Sequence, residues 1–208
     1  MLQLTDIKKY YHSQLALQVD ALKLENGAYF IKGANGSGKT TFLKMIAGLL
    51  PFEGNILLNN INLKREPVAY RQQISWAETE PLYPSFLAGI ELIRLYGAIR
   101  KVRKQEINYL VAQYNIGSYI NDAIGTYSAG MIKKLSLVAA FLGNTRLILL
   151  DEPFITLDAD AYNTTWSLIA ERIEKEGTGF LISSHLETGD KPVKENTLFV
   201  HNKTVVLQ

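Results

Sequence analysis

The stretch GANGSGKT, residues 33–40, decides the fold. It fits G-x-x-x-x-G-K-[ST] at every fixed position. The apolar run AYFIK (28–32) precedes it, and Leu43, Ile46, Ala47 and Leu50 follow at helical spacing until Pro51 stops them. Strand, glycine turn and helix form the setting in which this pattern cradles phosphate. Gly33, Gly36 and Gly38 let the backbone turn tightly, so that successive N–H groups point at phosphate oxygens. The helix start adds its partial positive charge. The Lys39 ammonium is placed to reach the β- and γ-phosphates, and the Thr40 hydroxyl to hold Mg²⁺. Asn35, Ser37 and Thr41 belong to the same nucleotide-binding stretch.

A glycine loop of this kind needs a second ligand for its metal. LILLDEP (147–153) supplies one, as an apolar strand that ends in two acids and is stopped by Pro153. Asp151 at the strand end is predicted to face the nucleotide cleft and order Mg²⁺, directly or through water. Glu152 comes next, points differently, and is the candidate to polarise a water for attack on the γ-phosphate.

The rest of the chain reads as α/β, then helices, then α/β. Leu15, Leu17 and Val19 alternate with polar residues, and GNILLNN and QISWAE look like further strands. From Phe86 to about Phe141 the pattern is helical: Leu92, Leu95 and Tyr96 share a face with Gly97 as C-cap, Ile107, Leu110, Val111 and Tyr114 form a second stripe, and 130–142 is a third helix. Strands return at LILL, GFLISS, TLFV and VVLQ, with a helix carrying Trp166, Ile169, Ala170 and Ile173 between the first two. Asn202-Lys203 is the turn of a terminal hairpin. The last third supplies strands that the first third needs to complete its sheet. The expectation is therefore one domain, 1–208, with a core of 1–84 and 144–208 and an inserted helical subdomain at about 85–143. The 208 residues, 47% apolar and 20% charged, can bury a sizeable core. A net charge of +2 gives no ground for a nucleic-acid partner, and the absence of cysteine excludes disulfides and thiolate metal sites. No run approaches a membrane span and the start lacks a signal peptide, so the expected location is the cytoplasm. RKVRK (100–104) reads as a solvated turn, with contact to anionic lipid or a membrane partner as the alternative.

Other proteins with a glycine loop and an acidic strand end lack a stretch such as YSAGM (127–131) about 20 residues before that strand. Here the chain resembles the ATP-binding cassette (ABC) ATPases, in which Ser128, Ala129 and Gly130 stand at the signature. The resemblance runs through Tyr11, 33–40, 127–131, 147–153, Thr156-Leu157-Asp158 and His185, in the family's order. It implies a P-loop NTPase fold, a RecA-like core with N-terminal antiparallel strands plus the helical insert. It also implies ATP hydrolysis with ATP and Mg²⁺ and head-to-tail pairing with a second copy or a homologous ATPase subunit. In that pairing each signature caps the ATP held by the other glycine loop. The residues present suit such capping, with a hydroxyl at Ser128, a backbone N–H at Gly130 and the positive end of a helix. The same serine can also serve as an ordinary helix cap. By the same resemblance Tyr11 stacks on adenine, with Tyr10 as rival, Asp158 communicates across the dimer, and His185 contacts the γ-phosphate beside the general base Glu152.

The compact size and the LDEPF stretch look similar to the ATPases of small exporters, including the haem-exporter type. The resemblance thus implies a subunit at the cytoplasmic face of a membrane, driving a separate integral permease. The alternative is a soluble single-cassette ATPase in an assembly or regulatory complex. Two departures stand out. Met131 replaces the usual glutamine and is expected not to hydrogen-bond as glutamine would, while Tyr127 is bulkier than the usual leucine. At 76–81, WAETEP has no glutamine to touch the metal, Thr79 aligns with it, and Glu78 or Glu80 is the candidate substitute.

Overall fold

The computed structural model describes residues 1–184 and 192–208. Its elements run β1 (Leu2–Tyr11), β2 (Gln14–Leu24), β3 (Ala28–Lys32), α1 (Lys39–Ile46), β4 (Glu53–Leu58), β5 (Ile61–Asn62), α2 (Pro67–Gln72) and β6 (Ile74–Ala77). They continue with α3 (Gly89–Ile99), α4 (Lys104–Gln113), α5 (Ala129–Phe141), β7 (Leu147–Asp151), α6 (Ala159–Glu176), β8 (Gly179–Ser183), β9 (Glu195–His201) and β10 (Thr204–Leu207). All ten strands form one sheet in the order β5-β4-β1-β2-β10-β9-β3-β8-β7-β6. The β9, β3, β8, β7, β6 side is parallel, and the β5, β4, β1, β2 side is antiparallel.

The parallel strands are buried on both faces, which is why their sequences are continuous apolar runs. Along β7, Ile148 and Leu150 pack into a core with α5, α6 and the helical insert, while Leu147 and Leu149 pack into a second core with α1 and the antiparallel strands. Between them the two cores bury both sides of the strand that ends at Asp151. The two halves of the sheet meet at β2 and β10, where the pairing is Thr204 opposite Gln18, with the Gln18 N–H donating to the Lys203 carbonyl at 2.7 Å. Asn202 and Lys203 both have positive φ, 48° and 65°, the geometry of the expected hairpin turn.

Helices α3, α4 and α5 are inserted between β6 and β7, which are neighbours in the sheet. Three readings of this region are corrected. Gly97 is not a C-cap: α3 continues to Ile99, and Gly97 is the point where Ile107 of α4 packs so close that a Cβ would lie 2.9 Å from its Cδ1. Leu95 faces solvent rather than sharing the buried face of Leu92. Arg100 is not part of a solvated turn. Its guanidinium turns inward to Ser75 Oγ and to the carbonyls of Leu142 (2.7 Å), Ala139 and Ile74 (3.4 Å each), tying the end of α3 to β6 and the end of α5.

Candidate functional site

The loop between β3 and α1 opens onto a cavity of about 450 Å³ lined by Asn35, Gly36, Gly38, Lys39, Thr40, Thr41, Thr79, Glu152 and Ile155. Gly33 and Gly38 have φ of 157° and 111°. Gly33 is also fixed by a close approach, since a Cβ there would sit 2.4 Å from the Val200 carbonyl oxygen of β9 and 2.7 Å from Ser37 Oγ. Ser37 Oγ is buried and has no hydrogen-bond partner among the described residues, an orphan that an incoming phosphate oxygen would satisfy. Lys39 Nζ folds back onto the loop's own carbonyls, Gly33 O at 2.9 Å and Ala34 O at 3.2 Å. Burial pulls its pKa below the usual lysine range, and the Glu152 and Asp151 carboxylates oppose that shift.

The strand end meets the loop as expected. Thr40 Oγ1 donates to Asp151 Oδ2 at 2.9 Å, so the candidate metal-holding hydroxyl and carboxylate already touch. The second Asp151 oxygen accepts from Ser183 Oγ at 2.6 Å. Ser183 in turn accepts from the Glu152 N–H at 2.9 Å. This serine of β8 is not among the sequence candidates, although its position at the end of the apolar run FLIS, beside β7, marks it. Glu152 has a left-handed backbone, φ 48°, which a side-chain-bearing residue adopts only when its surroundings impose it.

Of the loop 78–80, Thr79 lines the cavity. Glu78 is turned to the Trp76 indole, which donates to its Oε1 at 2.9 Å. Lys133, near the start of α5, is a residue that sequence reasoning missed. It is 3% exposed, and its ammonium donates to three carbonyl oxygens: Glu78 at 2.9 Å, Thr79 at 2.6 Å and Glu152 at 3.3 Å. Burial pushes its pKa down to about 8, against the pull of Asp151, Glu152 and Glu80. The sequence signal was available: Lys133, Ser136, Leu137 and Ala140 fall at i, i+3, i+4, i+7 on one buried face.

Ser128, Ala129 and Gly130 do not line this cavity. Ser128 caps α5, its Oγ accepting the Met131 N–H at 3.2 Å. Met131 Sδ accepts the Ser128 N–H at 3.4 Å, a weak acceptor that has none of the donor capacity of a glutamine amide. Tyr127 fits because α3 begins with a glycine. Its hydroxyl donates to the Tyr119 carbonyl at 2.8 Å and occupies the space 2.4 Å from where a Gly89 Cβ would stand. Asp158 caps α6, accepting the Ala161 N–H at 2.8 Å, and pairs with Lys134 at 2.5 Å, which together hold its pKa below the usual range. Tyr11 is half exposed at the end of β1, with its hydroxyl 3.5 Å from Thr41 Oγ1 and Lys9 Nζ 4.7 Å from its ring centre. Tyr10 makes neither contact. His185 lies outside the described residues.

Fold and loop together define a P-loop nucleoside triphosphatase of the α/β class. A family model described as "ABC transporter" matches residues 17–155. The relative named ABC transporter ATP-binding protein NatA, of Bacillus subtilis, is 30% identical over 99% of this chain and 88% of its own length. The cytochrome c biogenesis ATP-binding export protein CcmA of Reclinomonas americana is 31% identical over 87% of this chain and 82% of its own. In longer relatives the match is a small part, 9% of rat ATP-binding cassette sub-family A member 7. A solved structure titled as the ATP binding subunit of an ABC transporter superposes with a TM-score of 0.91, at 26% identity, over 100% of this chain and 89% of that one. The fold is shared too with the dimeric, ADP- and phosphate-bound cassette MJ0796, TM-score 0.84 at 18% identity, over 100% of this chain and 98% of that one. The chain belongs to the ABC transporter family, as an ATP-binding and ATP-hydrolysing subunit. No helix among the described residues is long and apolar enough to cross a membrane.

Proposed function

We propose that two copies of this chain, or one copy and a homologous subunit, close head to tail on ATP at the cytoplasmic face of a membrane, and that hydrolysis reopens them to drive a separate permease. The observation that carries this reading is the separation within one chain of Ser128 and Gly130 from the cavity lined by Lys39, Thr40 and Glu152. A signature that does not line its own chain's cavity is available to the partner's. Exposed Leu82 (94%) and Phe86 (80%), on the segment entering the helices of 85–143, offer apolar contact to the permease.

At the cavity, Lys39 exchanges Gly33 and Ala34 carbonyls for β- and γ-phosphate oxygens, and the loop amides and Ser37 take the rest. Tyr11 offers its ring to adenine. The hard oxygens of Thr40 and Asp151 suit Mg²⁺, which supplies charge neutralisation on the phosphates; two protein ligands with the remainder from phosphate and water is the usual pattern. Glu78 and Glu80 are outer candidates at most, Glu78 being engaged by Trp76. Glu152 accepts the proton of the attacking water, with His185 the second candidate at the γ-phosphate.

Glu152→Gln tests the reading. The variant should bind ATP, lose hydrolysis and accumulate as a dimer by light scattering, and adding Ser128→Arg should abolish that dimer while monomer affinity for ATP holds. Equal loss of monomer affinity would overturn the trans role of the signature. Pull-down from detergent-solubilised host membranes should recover a multi-span protein; recovery of soluble partners alone would favour the assembly role.

A further inference from the structure

Lys133 is a buried cation that the proposed chemistry leaves unused. It makes no ion pair among the described residues, and its three donors go to three backbone carbonyls of two separate segments. An ammonium held this way is costly to bury, and the same volume filled by a methionine would avoid that cost. What the ammonium gains is position. Thr79 and Glu152 both line the nucleotide cavity, and Glu78–Thr79 is the start of the segment that leads from β6 into α3. The Glu152 peptide is gripped from two sides, its N–H by Ser183 and its carbonyl by Lys133, and the residue so held has a left-handed backbone. Lys133 sits on the helix that Ser128 caps, and its neighbour Lys134 reaches the start of α6 through Asp158.

We propose that Lys133 is a positioning residue for hydrolysis: its ammonium clasps the Glu78–Thr79 loop to the Glu152 turn, so that α5 sets where the Glu152 carboxylate stands over the cavity. The proposal rests on the reading of Glu152 as general base. Lys133 touches no reacting atom. Removing it should therefore spare ATP affinity and slow the chemical step.

The test compares wild type, Lys133→Met and Lys133→Arg in the full chain, measuring kcat and KM for ATP, direct binding of ATP, and the melting curve of each. Lys133→Met should lower kcat by about 10- to 100-fold, the scale of lost hydrogen bonds to a charged donor, with ATP affinity within about 3-fold of wild type. Lys133→Arg, whose fork can reach the same carbonyls, should restore kcat to within about 5-fold. Should Lys133→Met fail to fold, Lys133→Gln, with two uncharged N–H donors, takes its place in the same comparison. A kcat within about 2-fold of wild type in the lysine-free variant overturns the proposal. So does a loss of ATP binding that matches the loss of rate, since that marks a merely structural role. Failure of the underlying reading looks different: a Glu152→Gln variant that hydrolyses ATP normally.

Discussion

Ser183→Ala removes one oxygen from the middle of the site. That oxygen donates to Asp151 Oδ1 at 2.6 Å and accepts from the Glu152 N–H at 2.9 Å, and Ser183 is wholly buried between β7 and the loop that follows it. A hydrogen bond to a charged group contributes about 1.5–3 kcal/mol, and a buried N–H left without a partner costs about 1–3 kcal/mol. Asp151 keeps its bond from Thr40, so the two terms overlap rather than add in full, and the expected loss is about 2–4 kcal/mol. For a chain of this size that corresponds to a fall in melting temperature of about 5–15 °C. The assay is urea unfolding of the nucleotide-free protein, with the midpoint lowered and the slope unchanged. Because the same hydroxyl orients the Glu152 peptide, the ATPase rate should fall as well. A loss of stability below about 0.5 kcal/mol, the size expected of an ordinary surface change, would refute the view that this serine organises the strand end.

Two further outcomes follow from contacts elsewhere. Gly89→Ala should cost about 1–3 kcal/mol, because its Cβ would enter the space of the Tyr127 hydroxyl, and Tyr127→Leu in the same chain should recover most of it; equal costs in both backgrounds, read by thermal unfolding, would break the link. Stability should also fall steeply above pH 10. Burial raises Tyr83 and Tyr119 to about 12, and Tyr70 and Tyr114 further, from an unfolded value of 10.0. Their raised values contribute stability that is whole below pH 10 and drains away as the unfolded chain releases protons the fold retains. Tyrosinate absorbance from these four residues that rises with a midpoint near 10 before any unfolding would contradict this.

The motifs carried the fold because each is local. GANGSGKT and LILLDEP join a strand to a turn within a few residues, and the double-sided burial of β7 is written in its unbroken apolar run. The site's supports were not legible for the converse reason. Lys133 and Glu78 are 55 positions apart, Arg100 and Ser75 are 25 apart, and Ser183 and Asp151 are 32 apart. A lysine in IKK or an arginine in RKVRK has the composition of a solvated surface, and only the packing of one helix against a distant loop turns it inward. Gly97 misleads on the same ground: a glycine late in a helix signals an end unless another helix presses on it, as Ile107 does here.

The join between β2 and β10 bears on how a nucleotide would be measured. Tyr11 ends a strand on the antiparallel side, and the glycine loop springs from β3 on the parallel side, so a base on one and phosphates on the other span the seam. Thr204 opposite Gln18 pairs the two halves, and the Tyr11 hydroxyl reaches Thr41 Oγ1 of α1 at 3.5 Å. A triphosphate whose base lies on Tyr11 and whose phosphates lie on the glycine loop would therefore touch both halves of the sheet, whereas free phosphate would touch only the parallel one.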